Sequence, residues 1–92
     1  MIKVKVNSFF TMKEIIGSGS EIKLKTEDGT VEGLLKELVK LHGEKFKKQI
    51  IDDQTGEVKF YRIVVNGRHC TDTARALHDG DVIEFYPALA GG

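Results

Sequence analysis

The chain opens on strict alternation. Ile2, Val4 and Val6 are apolar, and the intervening Lys3 and Lys5 are charged. Successive side chains of a strand point to opposite faces, so this period of two predicts a half-buried strand. Residues 7–20 lose the period and read as a long connection. Its apolar members Phe9, Phe10, Met12, Ile15 and Ile16 pack down before Gly17-Ser18-Gly19-Ser20 breaks the run. Ile22 and Leu24 then alternate with Glu21, Lys23 and Lys25, a second short strand that would pair with the first as an antiparallel hairpin. Such pairing would gather Lys3, Lys5, Lys23 and Lys25 on one sheet face, either as a solvated surface or as a docking patch for an acidic partner.

At residue 30 the period changes. Glu27-Asp28-Gly29 is a turn, and the Thr30 hydroxyl can accept from the free amides of a first helical turn. Val31, Leu34, Leu35, Leu38 and Leu41 recur at helical spacing, and Gly43 stands where a helix C-terminus wants positive φ. Phe46 and Ile50, four apart, allow a short helical turn over 44–50. After a loop at Asp52-Asp53-Gln54-Thr55-Gly56, residues 58–65 are rich in β-branched and aromatic side chains and predict a strand. Asn66-Gly67 is a hairpin signal, with Arg68-His69-Cys70 as the return. Asp79-Gly80-Asp81 turns into a last strand, 82–86, with Ile83 and Phe85 on one face and Val82, Glu84 and Tyr86 on the other. Pro87 lacks an amide donor, so pairing stops or becomes one-sided there. The order strand, strand, helix, strand, short strand, strand predicts an α+β roll: one mixed sheet of four to five strands with one main helix across a face.

Composition narrows the class. The chain has 92 residues, one cysteine and one proline. One cysteine excludes an internally disulfide-stapled scaffold, and no apolar run reaches the roughly 18 residues of a membrane span. The alternating N-terminus lacks the apolar block of a signal peptide. The expectation is a cytoplasmic single domain with no membrane partner. Fourteen basic and fourteen acidic residues cancel, which weighs against a nucleic-acid partner. The cancellation is uneven: residues 1–48 hold ten lysines against seven acids, and residues 49–92 hold four basic residues against seven acids.

Catalytic groupings are sparse. His42, His69 and His78 are scattered, and His69 and Cys70 as strand neighbours would point to opposite faces. His69, Cys70 and His78 lack paired-ligand spacing for zinc, so no metal site is assigned. Asp52, Asp53, Asp79 and Asp81 fall in turns, where carboxylates cap local amides. Gly17-x-Gly19 lacks the third glycine of a phosphate loop. What stands out is Gly91-Gly92 at the end of the sequence. With glycine at about 7% of residues, such a pair arises there by chance only about 0.5% of the time. A terminus without side chains can thread a narrow channel and present its carboxylate to another enzyme. Ordering residues 88–92 would cost on the order of 1–2 kcal/mol per residue, so affinity must come from the folded face beside them.

The segment from Asp79-Gly80-Asp81 through Val82-Ile83-Glu84-Phe85-Tyr86-Pro87 to Gly91-Gly92 resembles the MoaD/ThiS sulfur-carrier family of ubiquitin-like β-grasp proteins. It is most similar to the MoaD branch, the small subunit of molybdopterin synthase. Val65-Asn66-Gly67, Thr30-Val31 with Leu34-Leu35, and Lys13-Glu14-Ile15-Ile16-Gly17 carry the likeness upstream. Ala88 and Ala90 depart from the proline and the serine or threonine common at those positions. The resemblance implies a β-grasp domain over residues 1–87 and a flexible tail over 88–92. It also implies that a partner adenylyltransferase, related to ubiquitin-activating enzymes, uses ATP to adenylate the Gly92 carboxylate, which a sulfur donor converts to a thiocarboxylate. Gly91, Ala90, Leu89 and Ala88 would enter the active-site channel of the molybdopterin synthase large subunit or another sulfur-accepting enzyme. Tyr86, Pro87 and Phe85 would form the partner interface. The chain would bind no cofactor tightly and would act as a protein cosubstrate rather than an enzyme. The alternatives are a ubiquitin-like protein modifier, a carrier for thiamine, tRNA thiolation, cysteine or methionine synthesis, and a plain binding module.

Overall fold

The computed structural model describes residues 1–9, 11–17, 19–52, 54, 55, 58 and 61–87. The elements are β1 (Ile2–Ser8), α1 (Thr11–Ile16), β2 (Ser20–Leu24), a 3-10 turn (Thr26–Asp28), α2 (Val31–His42), α3 (Glu44–Ile50), β3 (Tyr61–Val65), β4 (Arg68–Cys70) and β5 (Val82–Pro87). The five strands form one sheet in the order β2-β1-β5-β3-β4. β1 pairs antiparallel with β2 and parallel with β5, and β3 pairs antiparallel with both β5 and β4. A parallel pair in mid-sheet requires the chain to cross one face between its strands. The helices do this, which makes the fold the β-grasp, ubiquitin-like roll.

The crossing helices supply the core. Val4, Val6, Ile22, Leu24, Ile63, Val65, Ile83 and Phe85 present the inner face of the sheet. Val31, Leu34, Leu35 and Leu38 of α2 cover it, joined by Met12 and Ile16 of α1, Phe46 and Ile50 of α3, and Leu77. Thr30 caps α2, its Oγ1 accepting from Gly33 N at 3.0 Å. Gly43 ends that helix at φ 71°, ψ −149°, backbone nearly closed to any residue with a Cβ, and α3 begins at the next residue. Because the chain turns there, Leu41, expected on the apolar face, is 56% exposed, and Phe46 and Ile50 join the core in full burial. In the β3–β4 turn Asn66 (φ 51°) and Gly67 (φ 82°) both adopt positive φ, as a two-residue hairpin requires.

Four expectations change. The connection after β1 contains a helix, α1, whose Met12 and Ile16 are buried; Phe10 and Ser18 lie outside the described residues. The four-lysine face forms only in part: Lys3, Lys5 and Lys23 share the exposed face, but Lys5 pairs with Glu21 and Lys25 lies beyond β2. The register places an acid within the lysine group, which relieves part of the like-charge repulsion. Among the described residues β3 is Tyr61–Val65, and Val58 makes an isolated antiparallel bridge to Ile51; residues 59 and 60 of the expected strand lie outside the described residues. Residues 44–50 form a full helix. The proposed boundary at residue 87 coincides with the limit of the described residues, 88–92 lying outside them.

Candidate functional site

The chain leaves the sheet at the end of β5. Alternation there turns Ile83 and Phe85 inward and Val82, Glu84 and Tyr86 outward. β1 accompanies β5 only as far as the Ser8–Phe85 pair, while β3 continues through Tyr61 opposite Pro87. Tyr86 and Pro87 are therefore held from one side, as expected for a proline at the end of a strand. Ser8 is fully buried, and its Oγ donates to Gly17 O at 2.6 Å, tying the end of β1 to the turn after α1.

That arrangement sets an aromatic pair on the open sheet face. Phe9 follows Ser8 and stacks on Tyr86, with ring centroids 4.9 Å apart and planes inclined by 16°. Tyr86 is 38% exposed, and its Oη donates to Glu84 Oε2 at 3.0 Å. That hydrogen bond is the main reason the phenol is held above its ordinary value, with slight burial and the Glu84 charge adding to it. Arg62 lies opposite Tyr86 on β3 and is exposed. An exposed aromatic stack with a cation and an anion at its margin is suited to a protein partner. Sequence reasoning counted Phe9 among residues that pack down. Its place is set by the parallel register of Ser8 with Phe85, a pairing between chain ends that no local pattern announces.

Of the residues expected at the partner interface, Tyr86 and Pro87 occupy this exit. Phe85 requires correction. It is 0% exposed and meets Phe46 edge-on, centroids 6.0 Å apart, so it anchors the strand from inside and touches no partner. Ala88, Leu89, Ala90, Gly91 and Gly92 lie outside the described residues.

The opposite end of β5 is polar. Asp79 Oδ1 accepts from Lys3 N at 2.7 Å. Asp81 Oδ1 accepts from Asn66 Nδ2 and Oδ2 from His78 N, both at 2.8 Å, while Asn66 Oδ1 accepts from Val82 N at 2.9 Å. Burial pushes the Asp81 carboxyl up, but the hydrogen bonds from Asn66 and His78, with the charges of His78 and Arg75, outweigh it and hold the carboxyl below its usual range. Asp81 thus caps a local amide, as does Asp52, whose Oδ1 accepts from Gln54 N at 2.8 Å, whereas Asp79, expected to do the same, instead ties its turn to β1 through Lys3. His69 lies opposite Val64 on the outer face and Cys70 opposite Ile63 on the inner one. The Cys70 thiol donates to Asp72 O at 3.2 Å. The two do not form a nucleophile–base pair.

A β-grasp sheet whose central strand ends beside an exposed aromatic stack is the frame of a small ubiquitin-like protein. The family model of the ThiS family matches residues 6–92, and the chain belongs to that family. It is 32% identical over 95 residues to small archaeal modifier protein 3 of Haloferax volcanii, covering 99% of this chain and 100% of that protein. A Pyrococcus furiosus protein provisionally designated molybdopterin converting factor, subunit 1, is 29% identical, with a TM-score of 0.75 over 97% of this chain and 100% of the other. The crystal structure of H. volcanii small archaeal modifier protein 1 shares the fold with a TM-score of 0.82 at 22% identity, over 97% of this chain and 100% of that one. The family comprises small non-catalytic sulfur carriers and modifiers that work with activating enzymes and sulfur-accepting partners. Among the described residues no helix is long and apolar enough to cross a membrane.

Proposed function

We propose that this protein is a sulfur carrier whose Gly92 carboxylate is activated by a partner enzyme and loaded with sulfur. The carboxylate attacks the α-phosphorus of ATP and releases pyrophosphate; sulfide-level sulfur (HS⁻ or its equivalent) from a donor then attacks the acyl carbon, displaces AMP and leaves a thiocarboxylate. The single observation that carries this reading is a family match that includes the Gly91-Gly92 pair, on a fold whose β5 ends beside an exposed aromatic stack. In this reading Phe9 and Tyr86 supply docking energy, Pro87 is the last residue of β5, and residues 88–92 enter the partner's channel. Docking must come from the folded face, because ordering five tail residues costs on the order of 1–2 kcal/mol each. The acceptor we favour is the large subunit of a cytoplasmic molybdopterin synthase, on the strength of the likeness to the Pyrococcus protein.

The test is coexpression with the cognate activating enzyme followed by intact mass. Replacement of one oxygen by sulfur at Gly92 is expected, and its failure under conditions that form the adenylate overturns the reading.

The likeness to small archaeal modifier protein 3 favours a second reading, conjugation to protein lysines. After Arg75 the sequence has no lysine or arginine, so trypsin would leave residues 76–92 on a modified lysine as a diagnostic branch. Recovery of that branch from cell protein establishes conjugation, and its absence alongside a loaded thiocarboxylate leaves the carrier role alone.

A further inference from the structure

Strand β2 ends the sheet order, so it is hydrogen-bonded on one side only, to β1. Its other edge faces α2 across a groove of about 380 Å³. The charged residues lining that groove are Lys23, Lys25, Lys36 and Lys40 against Asp28 and Glu37. Lys36 pairs with Glu32 at 3.5 Å, but both side chains are mostly in water and such pairs are weak. Lys23, Lys25 and Lys40 make no ion pair among the described residues. Lys3 sits opposite Lys23 and adds a positive charge at the same margin. Lys25 is extended (φ −65°, ψ 148°), so the open edge runs past the end of β2 before the chain turns. Leu24, at the base of the groove, is buried.

We propose that this groove binds an extended acidic peptide segment, which adds to the free edge of β2 and sets its carboxylates against Lys23, Lys25 and Lys40. An open strand edge presents alternating amide donors and carbonyl acceptors, and another polypeptide in extended form matches both. A nucleic-acid backbone presents phosphate acceptors and would leave the strand carbonyls unmet. Its unbroken negative charge would also meet Asp28 and Glu37, whereas a peptide can set neutral residues there. A second copy of β2 is disfavoured, because Lys23 and Lys25 would face their own kind across the new pair. The groove lies at the helix-side edge of the sheet, away from the Phe9–Tyr86 stack on the open face, so it can be filled while the chain end is engaged. The inference does not depend on the fate of Gly92.

The test uses the full chain and a short capped peptide alternating valine with aspartate, followed by amide chemical shifts and hydrogen exchange. Shifts and slowed exchange are expected at residues 21–25 and along the facing side of α2. The double reversal Lys25→Glu with Lys40→Glu changes two exposed side chains and should leave the α3 and β5 amides in place while weakening binding by about tenfold or more. Raising the salt should weaken the wild type as well. A valine–lysine peptide should bind the reversed variant and not the wild type. Absence of shifts at β2, shifts confined to the Tyr86 face, or equal binding of both peptides by the wild type would each overturn the proposal. So would an oligonucleotide that displaces the acidic peptide from these lysines at equal concentration.

Discussion

At its start β5 is pinned by side chains: Asp79 holds Lys3 N, Asp81 holds Asn66 and His78, and Asn66 returns a bond to Val82 N. The backbone repeats the connection, with Lys5 N donating to Asp81 O and Gly80 N to Lys3 O. At its finish β5 has lost β1 and keeps β3 as its one neighbour, and the conspicuous side chain, Tyr86, is turned to solvent on Phe9. One end spends its polar groups on holding the strand in register, and the other leaves its groups for something outside the molecule. The proposed presentation of the chain end to a partner would use this asymmetry, since the polar network that fixes the Asp81 turn is not repeated around Tyr86.

The comparison breaks most completely through the residue that serves both ends. Phe85→Ala removes a fully buried ring that meets Phe46, and a loss of about 3–5 kcal/mol is expected in urea unfolding. For a domain of this size that is a large part of about 5–15 kcal/mol. Phe85→Leu should cost markedly less, and equal effects from the two changes would place the ring outside the core.

Asp81→Ala tests the pinned end alone. It removes charge-assisted hydrogen bonds to Asn66 and His78, and a loss of about 1–3 kcal/mol is expected. The carboxyl is more acidic folded than unfolded, where it titrates near about 4. Its contribution is therefore complete above about pH 4 and disappears as pH falls through the lower folded value. Asp81→Asn should flatten the acid limb of stability against pH; an unchanged limb would remove Asp81 from that role.

The open end should respond in the opposite sense. Phe9→Ala and Tyr86→Ala should leave the unfolding midpoint almost unmoved while weakening capture by the activating enzyme about tenfold or more, as hot-spot aromatics do. If either variant loses stability and keeps its partner, the stack is structural and the contrast between the two ends fails.

What could be read from the sequence was whatever is decided within one element or one turn. The period of β1, the Thr30 cap, the Asn66-Gly67 hairpin and the alternation along β5 depend on neighbours a few residues away, and each is found. The aspartates capping turn amides belong to the same group. What escaped depends on distant pairing. α1 is six residues long, too short for its period to stand out from a packed connection. The register of β1 against β2 follows from the length of that connection with the helix in it, so the placement of Lys5 beside Glu21 was hidden. Phe9 meets Tyr86 only because strands from opposite ends of the chain run parallel side by side. Phe85 was legible as inward-facing from its alternation with Tyr86. Its assignment to the interface came with the family likeness, and local alternation was the sounder guide.

The smallest effect isolates the one polar contact at the open end. Tyr86 Oη donates to Glu84 Oε2, and because the hydrogen bond needs the phenol proton, ionisation is opposed first by losing that bond and then by burial and the carboxylate charge. Glu84→Gln keeps an acceptor but removes the charge, so the Tyr86 pKa should fall toward its ordinary value in a spectrophotometric titration. Tyr61 is an internal control, since its phenol is raised first by burial, against a backbone hydrogen bond at Met12, and neither involves Glu84. Its titration should not move. A joint shift of both tyrosines would mean that Glu84 acts through the sheet as a whole. A shift of Tyr86 alone shows that the exposed end of β5 carries its own local chemistry, separable from the network that pins the other end.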